Sequence, residues 1–206
     1  MLFYSNLENI KNEKFFDDYF DKLKDVYDKI DKKNLIKAAN LINSKIKDKK
    51  NIFVCGNGGS SAIAAHFVCD YVKQLSKYTN LRAKITNLFS EIPLVSAIAN
   101  DISYEEVFRF QLQSKMEKGD LLICISSSGN SKNIINAIKY SQKLKNKIIG
   151  FTNFNGGFLK KNSNVQIHSK ISNYGIGEDI NHILMHSIMQ FIVLNNIKSN
   201  KRKIIL

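Results

Sequence analysis

The chain has 206 residues, about one to one and a half times a typical domain length, which points to a single α/β domain with a helical extension. Its 44% apolar and 10% aromatic content excludes a wholly disordered chain, and no apolar run reaches the roughly 18 residues of a membrane span. Thirty-one Lys and Arg against 18 Asp and Glu give a formal charge of +13, a balance that suits nucleic acid, an anionic membrane or an anionic metabolite.

Lysine supplies almost all of that charge, since only Arg82, Arg109 and Arg202 are arginines. Arginine is the better residue for bidentate recognition of bases and phosphates, so nucleic acid is disfavoured as a partner. Cys55, Cys69 and Cys124 are odd in number, lack C-x-x-C spacing and stand among apolar residues, which reads as reduced core thiols. The opening stretch MLFYSNLENIKNEK meets charge before any signal-like apolar segment develops, and a soluble cytoplasmic protein is expected.

Over 13–30 the apolar positions Phe16, Phe20, Leu23, Tyr27 and Ile30 recur at spacings of three and four, an amphipathic helix. A second helix carrying Leu35, Ala39, Ile42 and Ile46 follows Asp31-Lys32-Lys33. Two helices ahead of any strand must bury their apolar faces on the later domain or on another subunit. After Lys50, short apolar runs at 51–55, 83–87, 121–125, 147–152 and 165–168 predict strands, each bounded by Gly, Asn, Asp or Ser. Helices are expected between and after them at about 60–76, 91–99, 104–116, 131–145 and 178–197, with Pro93 tolerated near the start of the second. Such alternation predicts an α/β fold, a parallel sheet with helices on both faces. The domain plan is a helical extension over 1–50, one domain over 51–198 and a basic tail over 199–206.

Two strand ends carry the chemistry. The first runs Gly56-Asn57-Gly58-Gly59-Ser60-Ser61 into an apolar helix, where the glycines permit a sharp turn and Ser60 is placed to cap. The second runs Ser126-Ser127-Ser128-Gly129-Asn130-Ser131 into another helix. Four hydroxyls and a helix N-terminus at the carboxyl end of a parallel strand make a phosphate cradle that needs no arginine. The plainer alternative is a serine-rich turn that caps a helix, and it weakens when two such loops share one sheet. Walker Lys-Ser/Thr and G-x-G-x-x-G are both missing from the first loop, which disfavours a nucleotide cofactor.

The stretches GNGGSSAIAAHF (56–67), AIANDISYEEVF (97–108) and ISSSGNSKNIINAI (125–138), with His186 on the final helix, resemble the sugar isomerase (SIS) domain, specifically the phosphoheptose isomerases. The resemblance runs over about 10–197. It implies a three-layer αβα sandwich with a five-stranded parallel sheet, a homotetramer joined through the N-terminal helices, and interconversion of sedoheptulose 7-phosphate with an aldoheptose 7-phosphate for surface polysaccharide such as lipopolysaccharide or capsule. By the family pattern Ser126, Ser127, Ser128 and Ser131 hold the phosphate, and Asn57 and Ser60 face the sugar. Asp101 matches an acidic residue near the sugar; its structural alternative is to cap the helix that follows.

The same pattern implies acid and base roles for Asp70 and His186, with departures. Asp70 stands where the family has a glutamate, Glu178 where it has a glutamine, Gln74 where it has a basic side chain, and Gly175-Ile176 where it has an Asp-Arg pair. His66 and Asp70, at i,i+4, share a helix face, and Glu178 and His186 lie two turns apart on another. A carboxylate and an imidazole in reach of C1 and C2 suffice for general acid/base work. The competing use of His66, Asp70, Glu178 and His186 is a divalent metal site, and zinc accepts two imidazoles and two carboxylates. His182 reads as a solvated or interface histidine able to substitute as a ligand, and His168 as structural. Two alternatives to the phosphoheptose reading are an isomerase of another ketose or aldose phosphate and a non-catalytic SIS-fold protein that binds a replication initiator.

Overall fold

Strands covered on both faces have no polar side to show, and the central strands of this sheet are apolar along nearly their whole length. The computed structural model describes residues 13–197; the expected tail 199–206 and the first part of the extension lie outside the described residues. Strands β1 (Asn51–Gly56), β2 (Lys84–Asn87), β3 (Leu121–Ile125), β4 (Lys147–Thr152) and β5 (Val165–His168) form one parallel sheet in the order β2-β1-β3-β4-β5. Ile52, Val54, Ile123 and Ile125 face one layer, and Phe53, Cys55, Leu122 and Cys124 the other.

The first layer holds α1 (Lys14–Asp28), α2 (Lys32–Lys47), α3 (Gly59–Tyr78) and α8 (Tyr174–Leu194). Along α8 the buried residues Ile176, Ile180, Leu184, Ile188 and Ile192 recur every fourth position, and Phe67, Tyr71 and Leu75 do the same on α3, which lies beside it. The second layer holds α4 (Ile92–Asp101), α5 (Arg109–Lys115), α6 (Lys132–Lys143) and α7 (Gly157–Asn162). This is the expected three-layer αβα sandwich with a five-stranded parallel sheet and N-terminal helices.

Four details depart from the sequence reading, each for a local reason. The helix expected over 104–116 is a 3-10 turn at Tyr104–Glu106 followed by α5. There the carbonyl of Glu105 accepts from the Asn136 side chain, and Val107 and Phe108 turn into the core. The α8 helix begins at Tyr174 because the Asn173 side chain accepts the Ile176 N–H as an N-cap. The short α7, entered through Gly156-Gly157, is not among the expected helices. Finally, Cys55 and Cys124 are buried core thiols as expected, whereas Cys69 is exposed on the outer side of α3.

The packing of the serine loop depends on Gly129, which has φ +67° and accepts the Leu159 N–H at 3.0 Å. A Cβ there would collide with the carbonyl oxygen of Gly156. Gly58, in the first loop, has φ +53° but open space around its missing side chain. Left-handed backbone costs an L-residue about 1–2 kcal/mol. Gly58→Ala should lose about that much, and Gly129→Ala more, because collision adds to strain. Urea unfolding midpoints of the two variants check the order.

A candidate active site where the sheet order reverses

From β1 the chain crosses to β2 on one side, and from β3 it crosses to β4 on the other, so the carboxyl ends of β1 and β3 border a crevice. A cavity of about 140 Å³ opens there. Its walls include Ser126, Ser127, Ser128 and Ser131 from the loop before α6, Asn57 and Ser60 from the loop before α3, and Tyr174 and Glu178 from α8. The first turns of α3, α6 and α8 therefore meet at one cavity whose walls, among the described residues, carry no Lys or Arg. Unsatisfied backbone N–H groups and the helix dipoles favour an anion at such a place.

The hydroxyls differ in what they already hold. Ser126 Oγ accepts the Gly129 N–H at 3.2 Å, and Ser128 Oγ the Asn130 N–H at 3.3 Å. Ser131 occupies the N-cap position of α6 without using its side chain as a cap. Ser127 Oγ is buried and has no hydrogen-bond partner in the structure. A buried hydroxyl left unpaired costs about 1–3 kcal/mol, and here it lines a cavity suited to an anion that would satisfy it.

Asn57 ties the two loops together. Its Oδ1 accepts from the Tyr104 hydroxyl and the Asn133 amide, both at 2.9 Å, while its Nδ2 donates to Asn133 Oδ1 at 3.0 Å. Neither Tyr104 nor Asn133 was among the expected site residues; no residue-level pattern in the chain announces a bond between positions 47 and 76 apart. Asp101 behaves differently from both expectations. It is the exposed last residue of α4, bonded to Asn100 Nδ2 at 2.8 Å, so it neither lines the cavity nor caps the helix that follows.

Behind the crevice, α3 and α8 face each other with two i,i+4 pairs, His66–Asp70 and His182–His186. Asp70 receives His186 Nε2 on Oδ2 at 3.0 Å and His66 Nε2 on Oδ1 at 3.4 Å. His66 Nδ1 lies 2.7 Å from His182 Nε2, and the His182 and His186 rings stack with centroids 4.6 Å apart. Burial, and after it the neighbouring His186 and His66, push the His182 imidazole below its ordinary pKa against the pull of Asp70 and Asp179. The three imidazoles place one donor atom each within 4.8 Å of one another. His182 thus stands in the cluster, as its spacing of one turn from both Glu178 and His186 allows. Glu178 is not part of that compact group. It reaches both the serine cavity and a second cavity that it shares with His66 and His182. Burial first, and the charge of Asp179 second, raise its pKa.

The SIS domain family matches residues 15–153. A phosphoheptose isomerase of Buchnera aphidicola subsp. Acyrthosiphon pisum is 34% identical over 177 residues, spanning 84% of this chain and 89% of its own length. Another, from Aliarcobacter butzleri, is 34% identical over 77% of this chain and 83% of its own. The chain belongs to the phosphoheptose isomerase branch of the SIS family. A solved phosphoheptose isomerase from Neisseria gonorrhoeae superposes with a TM-score of 0.78 at 27% identity, covering 87% of this chain and 95% of that one. The Gln74 and Gly175-Ile176 departures lie on α3 beyond Asp70 and in the first turn of α8, where Gly175 leaves room for the Tyr19 hydroxyl of α1.

Replacing Ser127 by Ala removes a hydroxyl without an internal partner, so folding stability should fall by no more than about 0.5 kcal/mol. A hydrogen bond to a charged group is worth about 1.5–3 kcal/mol, so affinity for a sugar phosphate should drop by about 10- to 150-fold. Calorimetric titration alongside thermal unfolding separates the two effects.

Proposed function

We propose that the protein interconverts sedoheptulose 7-phosphate and D-glycero-D-manno-heptose 7-phosphate, in the cytoplasm, as a step in heptose supply for surface polysaccharide. The observation that carries this reading is the continuity of an anion cradle with acid/base groups: the serine loop, with its unpaired Ser127 hydroxyl, opens on one side of Glu178, and the imidazoles lie on the other. Family membership points the same way.

The reaction moves one proton between C1 and C2 through an enediolate. Phosphate held by the serines and the α6 N-terminus fixes one end of the sugar, and the N–H of Asn57 that its two neighbours leave over is available to a sugar oxygen. A carboxylate must take and return the carbon-bound proton, and groups near the oxygens must stabilise the charge that develops there. Each positioned acid or base contributes about 10²–10⁴-fold. Asp70 and Glu178 are the carboxylates nearest this task, and His186, with His66 and His182, supplies the imidazoles.

The donor set suits zinc. Three imidazoles beside an open position are a zinc donor set, and His66, His182 and His186 place one donor atom each within 4.8 Å of one another. His66, His182 and His186 would hold such an ion, with Asp70 against two of the rings to orient them, and the ion when bound supplies Lewis-acid polarisation of the sugar oxygens. Exposed apolar side chains on α1 and α8, Phe16, Phe20, Phe191 and Leu194, support assembly of copies through this layer into the family's homotetramer.

Two measurements test the reading. Purified protein given sedoheptulose 7-phosphate in deuterium oxide should yield the aldose with solvent deuterium at C2; no exchange into that or any other ketose phosphate overturns the function. For the metal, zinc competition against a chromophoric chelator should show one site per chain. His182→Leu should weaken that site by at least about 10-fold, the lower end of what even an outer-shell loss costs.

A further inference from the structure

We propose that Glu178, rather than Asp70, is the base that carries the proton between C1 and C2; this rests on the isomerase reading above. A general base must be able to touch the carbon-bound proton, and the carboxylates around the crevice differ in that respect. Each oxygen of Asp70 faces an imidazole nitrogen, His66 at 3.4 Å and His186 at 3.0 Å, and its side chain is only 15% exposed. It lines neither the serine cavity nor the neighbouring one. Asp179 does line the second cavity, but the Tyr19 hydroxyl of α1 donates to it. Glu178 lines both cavities and has no hydrogen-bond or ion-pair partner among the described residues.

The placement of Glu178 follows from α8 and α3. It sits in the second turn of α8, and its carboxylate lies so close to the start of α3 that a Cβ on Gly59 would collide with both of its oxygens. Glycine at 59 therefore admits the carboxylate to the wall between the phosphate cradle and the imidazoles. A sugar anchored by its phosphate on the serines has to pass Glu178 to bring its oxygens to His66 and His182. Asp70, set against an imidazole on each of α3 and α8, is a positioning residue that orients the rings.

The step balances without any added reactant. The Glu178 carboxylate removes a C1 proton from the open-chain ketose, the C1–H pair becomes the C1=C2 bond, and the C2 carbonyl pair moves to O2. The hydroxyl proton passes from O1 to O2, and the carbonyl forms at C1. C2 receives the proton that Glu178 holds, which restores the carboxylate.

The test compares Glu178→Gln with Asp70→Asn in the intact protein, following deuterium exchange at C1 of sedoheptulose 7-phosphate together with its dissociation constant. Glu178→Gln should lower exchange by about 10²–10⁴-fold while the dissociation constant stays within about threefold. Asp70→Asn should lose less, within the roughly 10–100-fold of an outer-shell contact. Added formate should restore exchange to Glu178→Ala and not to Asp70→Ala, a readout that neither misfolding nor weakened binding produces. Wild-type exchange that survives Glu178→Gln, or formate rescue confined to the Asp70 variant, overturns the role of Glu178 and leaves the isomerase intact. Absence of exchange in the wild-type protein overturns both.

Discussion

Between β1 and β3 two neighbouring parallel strands send their crossovers in opposite directions, and neither crossover can cover the gap at their carboxyl ends. The rest of the molecule is arranged around that gap. It sets the loops after Gly56 and Ile125 side by side, each turning into a helix whose first N–H groups lack partners within the helix. It also leaves α3 and α8, the helices nearest the opening, to supply every titratable side chain of the candidate chemistry. Loop and helix contributions come from positions 57 to 186, brought together by topology rather than by any local motif.

The sheet was legible in the sequence because burial on both faces removes ambiguity. A run such as Leu121-Leu-Ile-Cys-Ile125 cannot be an exposed strand, and its flanking turn residues bound it. Helix limits were less so, since Asn173 and Glu105 act through side-chain bonds that periodicity does not register. At the site, the serines and glycines announced a cradle through composition and position. The Asn57–Tyr104–Asn133 network did not, as it exists only when three distant segments meet. His182 fell between these cases: its i,i+4 spacing was visible, but its partner on α3 was not. Asp101, drawn in by pattern, stands at the exposed end of α4, away from the serine cavity of its own chain.

The net charge of +13 takes on a narrower meaning in this setting. Among the described residues no lysine lines the serine cavity, so their attraction for an anion acts over distance, and the grip within the cavity falls to hydroxyls and backbone dipoles. Lysine charge is screened by salt over about 10 Å, whereas oriented amides in a crevice keep their field. Approach and capture therefore depend on different atoms.

Asn57 has a consequence for which ligands the crevice accepts. An asparagine amide ordinarily offers both an acceptor and two donor hydrogens, and rotation by half a turn exchanges them. Here Tyr104 and Asn133 both donate to Oδ1, and Asn133 takes one N–H in return. The amide is left with a single polarity toward the cavity, that of a donor. A ligand that brings an oxygen lone pair to this point gains a bond, and one that brings only an N–H meets a group unable to turn. Tyr104 and Asn133 thus convert an ambidextrous side chain into a one-way reader of ligand chemistry without touching the ligand themselves.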